Sequence, residues 1–413
     1  MVSGVCRPMM RRLPLLTFLL LAPACRGEKA GSSTEAARLA HLVDSLAPSV
    51  EKAVGLTFRT PPRSAVRSRE EVRRYLAAKL TEELTPERAR GIEAAYRLFG
   101  MLPDTTDLRA LLLNLLTEQV VGYYDADSVK FFGVEGAPPD QLGITVAHEM
   151  VHALQGQYLP LDSLLETRGD NDRTTAAQAI LEGQAVLASI QVMAPTHDVL
   201  HDDEVWNLLE QQTQDAQNTM PQFGAAPLVV REGLIFPYVQ GALFMRWWET
   251  KSGQQDTVPF GPRMPASSEE IMHPARYAAG DAPLKVRIDS TAGDSTLHED
   301  SLGELETAIL EAQLNGQTRV SFDTAVGWGG DRYRVLQTPG GPALVWYLVF
   351  DDVASATRFR SVSGPKLAAM RRTGYRADFA ALEVSGRPAV RFVMAPVGWA
   401  GWDAIPVAAV RQP

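Results

Sequence analysis

Residues 147–158 read Ala-His-Glu-Met-Val-His-Ala-Leu-Gln-Gly-Gln-Tyr, and two histidines four positions apart are the strongest chemical signal in the chain. On a helix, His148 and His152 lie on one face about one turn apart, where two imidazoles can converge on a tetrahedral cation. Glu149 is turned by ~100° about the axis. It stands off that face but within reach of water bound there, as a general base must. Val146, Met150, Ala153 and Leu154 form the opposite face, so the spacing predicts an amphipathic helix whose histidines look into a cleft.

Two such ligands need a third. Glu182 lies in Ala179-Ile-Leu-Glu-Gly-Gln-Ala-Val-Leu187, a carboxylate inside an apolar helix. Burying it alone is costly, so it must be paired with a cation: a metal, or an arginine such as Arg173 or Arg168. Hydrolysis at such a centre would also need an electrophile for a developing oxyanion. Tyr238, His273 and Tyr277 are the candidates, with His273 beside Tyr277 the preferred pair and loop capping the alternative for His273. His197 and His201 are also four apart, but their acidic, polar setting predicts a solvated loop.

Helical spacing over Ala36–Ala53, Arg69–Leu80, Pro86–Phe99 and Leu108–Leu116 predicts four helices ahead of the motif, with Pro48 a place for a kink. Val120–Tyr124 and Val129–Val134 flank an Asp-rich turn and predict a hairpin. Gln141–Tyr158, Ala176–Met193 and Tyr238–Trp248 read as helices. Residues 261–277 read as loop, with a capping signal at Ser267 and Glu270. A polar gap at Ser290–His298 marks a boundary. Beyond it, Leu302–Leu314 and Asp352–Phe359 read as helix, and Ala343–Phe350 and Ala389–Met394 as buried strands. The expected class is α+β: a mainly helical unit with a small antiparallel sheet over 66–290, then a small α+β unit over 299–413.

The N-terminus predicts export. Arg7, Arg11 and Arg12 precede the apolar run Leu13–Ala22, which has the length of a signal core. Ala22-Pro23-Ala24-Cys25 resembles a lipoprotein cleavage box, with residues 1–24 removed and Cys25 lipidated. Plain secretion is the alternative. Residues 25–65 would be tether and first helix. The chain has 413 residues and only two cysteines, Cys6 and Cys25, so a metal site must use His, Asp or Glu. No apolar run reaches the ~20 residues that span a bilayer. The formal charge of −9 argues against a nucleic-acid binder, which neutralises phosphates with excess Lys and Arg.

His148-Glu149-x-x-His152 followed by a helix carrying Glu182 resembles the gluzincin branch of the zincin metallopeptidases, the thermolysin-like arrangement. The hairpin before the motif is similar to the zincin sheet whose edge strand holds substrate. Gly122-Tyr-Tyr-Asp125, Leu181-Glu-Gly-Gln-Ala185, Ser268-Glu-Glu-Ile-Met-His-Pro-Ala-Arg-Tyr277 and Gly327-Trp-Gly-Gly-Asp-Arg-Tyr333 resemble a set of prokaryotic envelope proteins, over roughly residues 70–360. One departure stands out. Thermolysin-like enzymes carry an Asp one turn after the Glu ligand to orient a histidine, and here that position is Val186. Gln178, Asp170 or Asp172 would have to serve instead.

The resemblance implies a Zn2+ held by His148, His152 and Glu182, with Glu149 as general base in hydrolysis of a peptide or protein substrate at the cell envelope. The competing expectation is a zincin-like binding or scaffold lipoprotein without activity, since fold does not guarantee chemistry. A third is another metal-dependent hydrolysis, such as amide cleavage in cell-wall material.

Overall fold

Four helices and three strands precede the motif helix among the described residues. A computed structural model describes residues 32–165, 169–253, 258–289 and 295–411. The signal run, Cys25 and Arg168 lie outside the described residues. α1 (Ser32–Val54) runs unbroken through Pro48, and β1 (Arg63–Arg67) follows it. α2 (Arg69–Glu83) opens on a capping box, in which Ser68 and Glu71 satisfy each other's backbone N–H. α3 (Pro86–Leu98) has proline at its first position, and α4 (Leu108–Gln119) is capped by Asp107.

β2 (Gly122–Asp125) and β3 (Lys130–Val134) form the expected antiparallel hairpin, and β1 adds a parallel strand on the far side of β3. Successive residues of β3 face opposite layers. Phe132 packs toward α2 with Val72 and Leu76, while Phe131 packs toward α1 and the motif helix with Leu39 and Val146. A strand buried on both faces reads as a continuous apolar run, which is what Phe131–Val134 is.

The helical centre follows. α5 (Pro139–Tyr158) carries the motif, α6 (Leu161–Leu165) is one short turn, and α7 (Asn171–Met193) carries Glu182. α8 (Asp203–Thr219) and α9 (Pro221–Ala225) lead to α10 (Leu228–Lys251). α10 is long and apolar enough to cross a membrane by length and composition, but most of it is buried against the rest of the chain. α7 and α10 cross in backbone contact. A Cβ on Gly183 would lie 2.2 Å from the carbonyl of Gly241, and one on Gly241 would lie 1.9 Å from Ala179 O. Only glycine permits that approach.

The stretch expected as loop is instead two short helices, α11 (Ser268–Met272) and α12 (Pro274–Ala279), and Ser267 does cap the first. β4 (Lys285–Ile288) precedes β5 (Ser295–Asp300) and α13 (Gly303–Leu314). β6 (Trp328–Thr338) and β7 (Gly341–Phe350) form a hairpin, followed by α14 (Val353–Val362) and α15 (Gly364–Ala369). β8 (Tyr375–Val384) and β9 (Arg387–Pro396) form another, and β10 (Ala408–Arg411) returns to pair with β4. Five of these strands make an antiparallel sheet in the order β5-β6-β7-β9-β8. The fold is α+β.

Polar contacts pin the start of α7 to this sheet. The Asn171 backbone donates to Asp300 at 2.6 Å, and its side chain donates to Glu306 at 2.9 Å. Asp172 accepts from the backbone of Ser268 at 3.0 Å and from its hydroxyl, and the same hydroxyl accepts from Leu305 N. Gly303, at φ +70°, leaves the room Asp172 occupies: a Cβ there would sit 1.9 Å from Asp172 Oδ1. α7 is thereby held at both its N-terminus and its crossing with α10.

Candidate metal centre

α5 and α7 bring three donor atoms to one point. His148 Nε2 lies 3.1 Å from Glu182 Oε2, His152 Nε2 lies 3.2 Å from the same oxygen, and the two nitrogens are 3.1 Å apart. Among the described residues this is the group of His and acidic side chains able to hold a metal ion. The fit can be judged from the triangle itself. Ligands ~2.0 Å from a tetrahedral ion lie about 3.3 Å from each other, close to what is seen. Two imidazole nitrogens and a carboxylate oxygen are hard-to-borderline donors that suit such an ion. No arginine partner of Glu182 stands in the ion's place among the described residues.

The electrostatics also call for a cation. Burial pushes the His148 imidazole down to about 4. Burial acts on His152 in the same sense, but the Glu182 carboxylate overcomes it and raises His152 above its ordinary value. Glu182 is in turn held well below the usual carboxylate range by the two imidazoles, in spite of its burial. The Glu182 carboxylate thus holds its negative charge at a buried point, where a cation is needed to balance it.

These side chains do not look into an open cleft, as the sequence suggested. His148 is 0% exposed, Glu149 0%, His152 2% and Glu182 4%. The reason is that α5 is covered on every side. α1 and the sheet pack on the Val146–Met150 face, while α7 and α10 close over the histidine face.

Glu149 adjoins the group from the sheet side. Its Oε2 accepts from Tyr124 N at 2.7 Å, a backbone N–H on the edge strand β2. Its Oε1 is buried with no hydrogen-bond partner among the described residues. Burial raises its pKa to about 8, against the pull of His152 and of the Tyr124 N–H. One oxygen is thus anchored, and the other carries no hydrogen bond among the described residues.

Of the three electrophile candidates, Tyr238 adjoins the centre. Its ring stacks on His148, centroids 6.0 Å apart and planes 23° apart. His273 is engaged elsewhere, with Glu304 at 3.0 Å. Tyr277 donates to Arg263 O and packs on Phe244, Trp247 and Trp248. The preferred pair is therefore occupied by other partners, and the remaining candidate touches a ligand. His197 and His201 pair with Asp202 and Asp198 at the surface, as a solvated loop would.

The polar support of the histidines comes from residues sequence reasoning passed over. Gln155 Oε1 lies 2.7 Å from His152 Nδ1. Gln155 Nε2 donates to Leu181 O and to Gln184 Oε1, both at 2.9 Å. Two of the three anticipated alternatives serve other ends: Asp170 caps α7, and Asp172 binds Ser268. Gln155 follows His152 by three residues on one helix, so its reach was available from spacing.

Comparison with known proteins adds little to this geometry. A domain of unknown function (DUF8575) matches residues 290–394. No curated protein matches the chain. A crystal structure of a candidate hydrolase with a novel fold from Chloroflexus aurantiacus is similar at TM-score 0.39 and 17% identity, covering 61% of this chain and 92% of that one. The functional reading therefore rests on the buried His148, His152 and Glu182 group, which could hold a metal ion.

Proposed function

We propose that the chain is a zinc-dependent hydrolase that cleaves peptide bonds at the cell envelope, on a gluzincin-like site. The observation that supports it is the convergence of His148, His152 and Glu182 beside a carboxylate with one anchored and one free oxygen. Three protein donors leave a fourth position open, the pattern of catalytic rather than structural zinc. Imidazole and carboxylate donors also suit iron, and Glu149 favours zinc because a base beside the ion has a role in hydrolysis. When bound, the ion supplies Lewis acidity toward a carbonyl and a water of lowered pKa. Glu149 Oε1 then takes a proton from the attacking water and delivers it to the leaving amine. The Tyr124 N–H holds the other oxygen still during that transfer. Tyr238, whose ring stacks on His148, is the residue we assign to donate a hydrogen bond to the developing oxyanion.

One observation favours the second reading, a catalytically silent scaffold: none of the four residues is more than 4% exposed. Substrate entry would require α10 or its surroundings to move. The variant Glu149→Gln separates the two readings. The enzyme reading expects it to keep its zinc and its melting temperature while losing on the order of 10²–10⁴ in rate on an unstructured protein substrate. Zinc-dependent cleavage that survives the substitution would remove Glu149 from the mechanism; no cleavage by the unmutated protein would leave the scaffold. Export and lipidation at Cys25 belong to the same proposal. A labelled fatty acid should mark the protein in cells, and release of a soluble unlabelled chain would defeat that part.

A further inference from the structure

A backbone carbonyl on α7 decides which nitrogen of His152 is free. Leu181 O can only accept a hydrogen bond. Gln155 Nε2 lies 2.9 Å from it and 2.9 Å from Gln184 Oε1, so both amide hydrogens of Gln155 are spent there. That sets the orientation of the amide and leaves Gln155 Oε1, an acceptor, facing His152 Nδ1 at 2.7 Å. Nδ1 must then carry the hydrogen. In the neutral, metal-binding imidazole Nε2 then holds the lone pair, and it is Nε2 that faces Glu182 Oε2 and His148 Nε2.

We infer that Gln155 is a positioning residue of this centre: it locks His152 with its proton on Nδ1 and presents Nε2 to the metal. The inference rests on the proposed metal site. The position one turn after Glu182 is Val186, which has no polar atom to offer, and His148 Nδ1 is buried without a hydrogen-bond partner among the described residues. The polar partner that orients a histidine here lies on α5 and serves His152. The partner is also a neutral amide where a carboxylate would add a negative charge. It fixes geometry without making the imidazole more basic, so an ion held here keeps more of its own charge. Gln184 completes the arrangement by receiving the second amide hydrogen. Gln155 is 2% exposed and Gln184 8%, so water does not compete freely for either.

The experiment compares zinc affinity, by competition with a chelator, and melting temperature in the unmutated protein, Gln155→Leu, Gln155→Glu and Gln184→Leu. Gln155→Leu should bind zinc 10–100-fold more weakly, the usual cost of losing an orienting partner. Gln155→Glu keeps an acceptor for Nδ1–H but gives up both donors, so its melting temperature should fall while its zinc affinity returns to within a few-fold of the unmutated value, or exceeds it. A role in folding alone predicts instead that affinity follows melting temperature through the series, and that result would overturn the inference. Gln184→Leu, which frees one amide hydrogen, should weaken zinc several-fold and reads the same relay if Gln155→Leu does not fold. Histidine-selective ¹⁵N spectra of the zinc-loaded unmutated protein need no variant at all. They should show His152 bound through Nε2 with a proton on Nδ1, and the reverse arrangement would end the proposal. An unmutated protein that takes up no zinc fails the metal reading itself. One that binds zinc as tightly as Gln155→Leu fails only the role of Gln155.

Discussion

Gly183 on α7 and Gly241 on α10 meet backbone to backbone, and this contact sits one residue from Glu182 and three from Tyr238. The crossing therefore sets the separation between a metal donor and the aromatic ring on His148. Gly241→Ala should destabilise the fold by about 2–3 kcal/mol, because the new methyl meets Ala179 O rather than a yielding side chain. Urea unfolding would measure it. Zinc affinity should fall as well, and an Ala variant of unchanged stability would show that the helices can part without cost.

Removing the ion should be felt by the whole molecule. His148→Ala or His152→Ala should abolish zinc uptake, and Glu182→Gln should weaken it strongly. At free zinc ~100-fold above its Kd, binding adds about 2.7 kcal/mol to the folded state, so a chelator should lower the melting temperature of the unmutated protein and leave His152→Ala unchanged. Metal analysis and calorimetry together check this. Unaltered zinc content in Glu182→Gln would displace Glu182 as a ligand.

Tyr238 and His273 should part company in kinetics. Tyr238→Phe keeps the ring on His148 and removes the hydroxyl, so turnover should drop 10-fold or more with KM and zinc content little changed. His273→Ala removes the partner of Glu304, a side chain whose other oxygen is already buried without a hydrogen bond. It should lower stability by 1–3 kcal/mol, the cost of an uncompensated buried group, with turnover per folded molecule retained. The opposite pattern would restore His273 as the electrophile.

A pH dependence remote from the metal follows from His298. Burial, then the charges of Arg88 and Arg332, push its imidazole from 6.5 down to about 4. Between those values the unfolded chain binds the proton and the folded one does not, so stability rises with pH across the window and is lost as pH falls from 6.5 to 4. His298→Gln should flatten that part of the curve. Urea midpoints of the two proteins from pH 4 to pH 7 decide it, and parallel curves would rule His298 out.

Much of the site was legible because helix geometry is strict. His148 and His152 share a face by arithmetic, and a lone carboxylate in the apolar run around Glu182 needs a cation whatever the tertiary fold. Burial was less legible. α5 has a polar face by composition, and only the packing of α7 and α10 shows that face to be internal. Gln155 and Gln184 escaped because an amide carries no charge to demand a partner. β1 escaped because Arg63-Ser-Ala-Val-Arg67 has no alternation to speak of and depends on β3 for its pairing. The early part of α10 was hidden by Pro237, which reads as a stop but sits inside a helix held by its neighbours. Gly327–Tyr333 contains three glycines and no alternation that marks the start of β6. Its Asp331 accepts from Leu302 N, Gly303 N and the indoles of Trp328 and Trp346, a pattern that joins residues far apart in sequence.

The tie between α7 and the five-stranded sheet bears on how portable that sheet is. All four donors to Asp331 come from within residues 290–394, so this buried acid would travel with the segment intact. Asp300 and Glu306 would not, because Asn171 supplies them from outside. A chain that borrowed the segment alone would inherit two acids with a vacant partner and a glycine at 303 shaped around an aspartate it lacks. Any such chain would have to bring its own amide and carboxylate to that corner, as an incoming helix begins, or give up the acids.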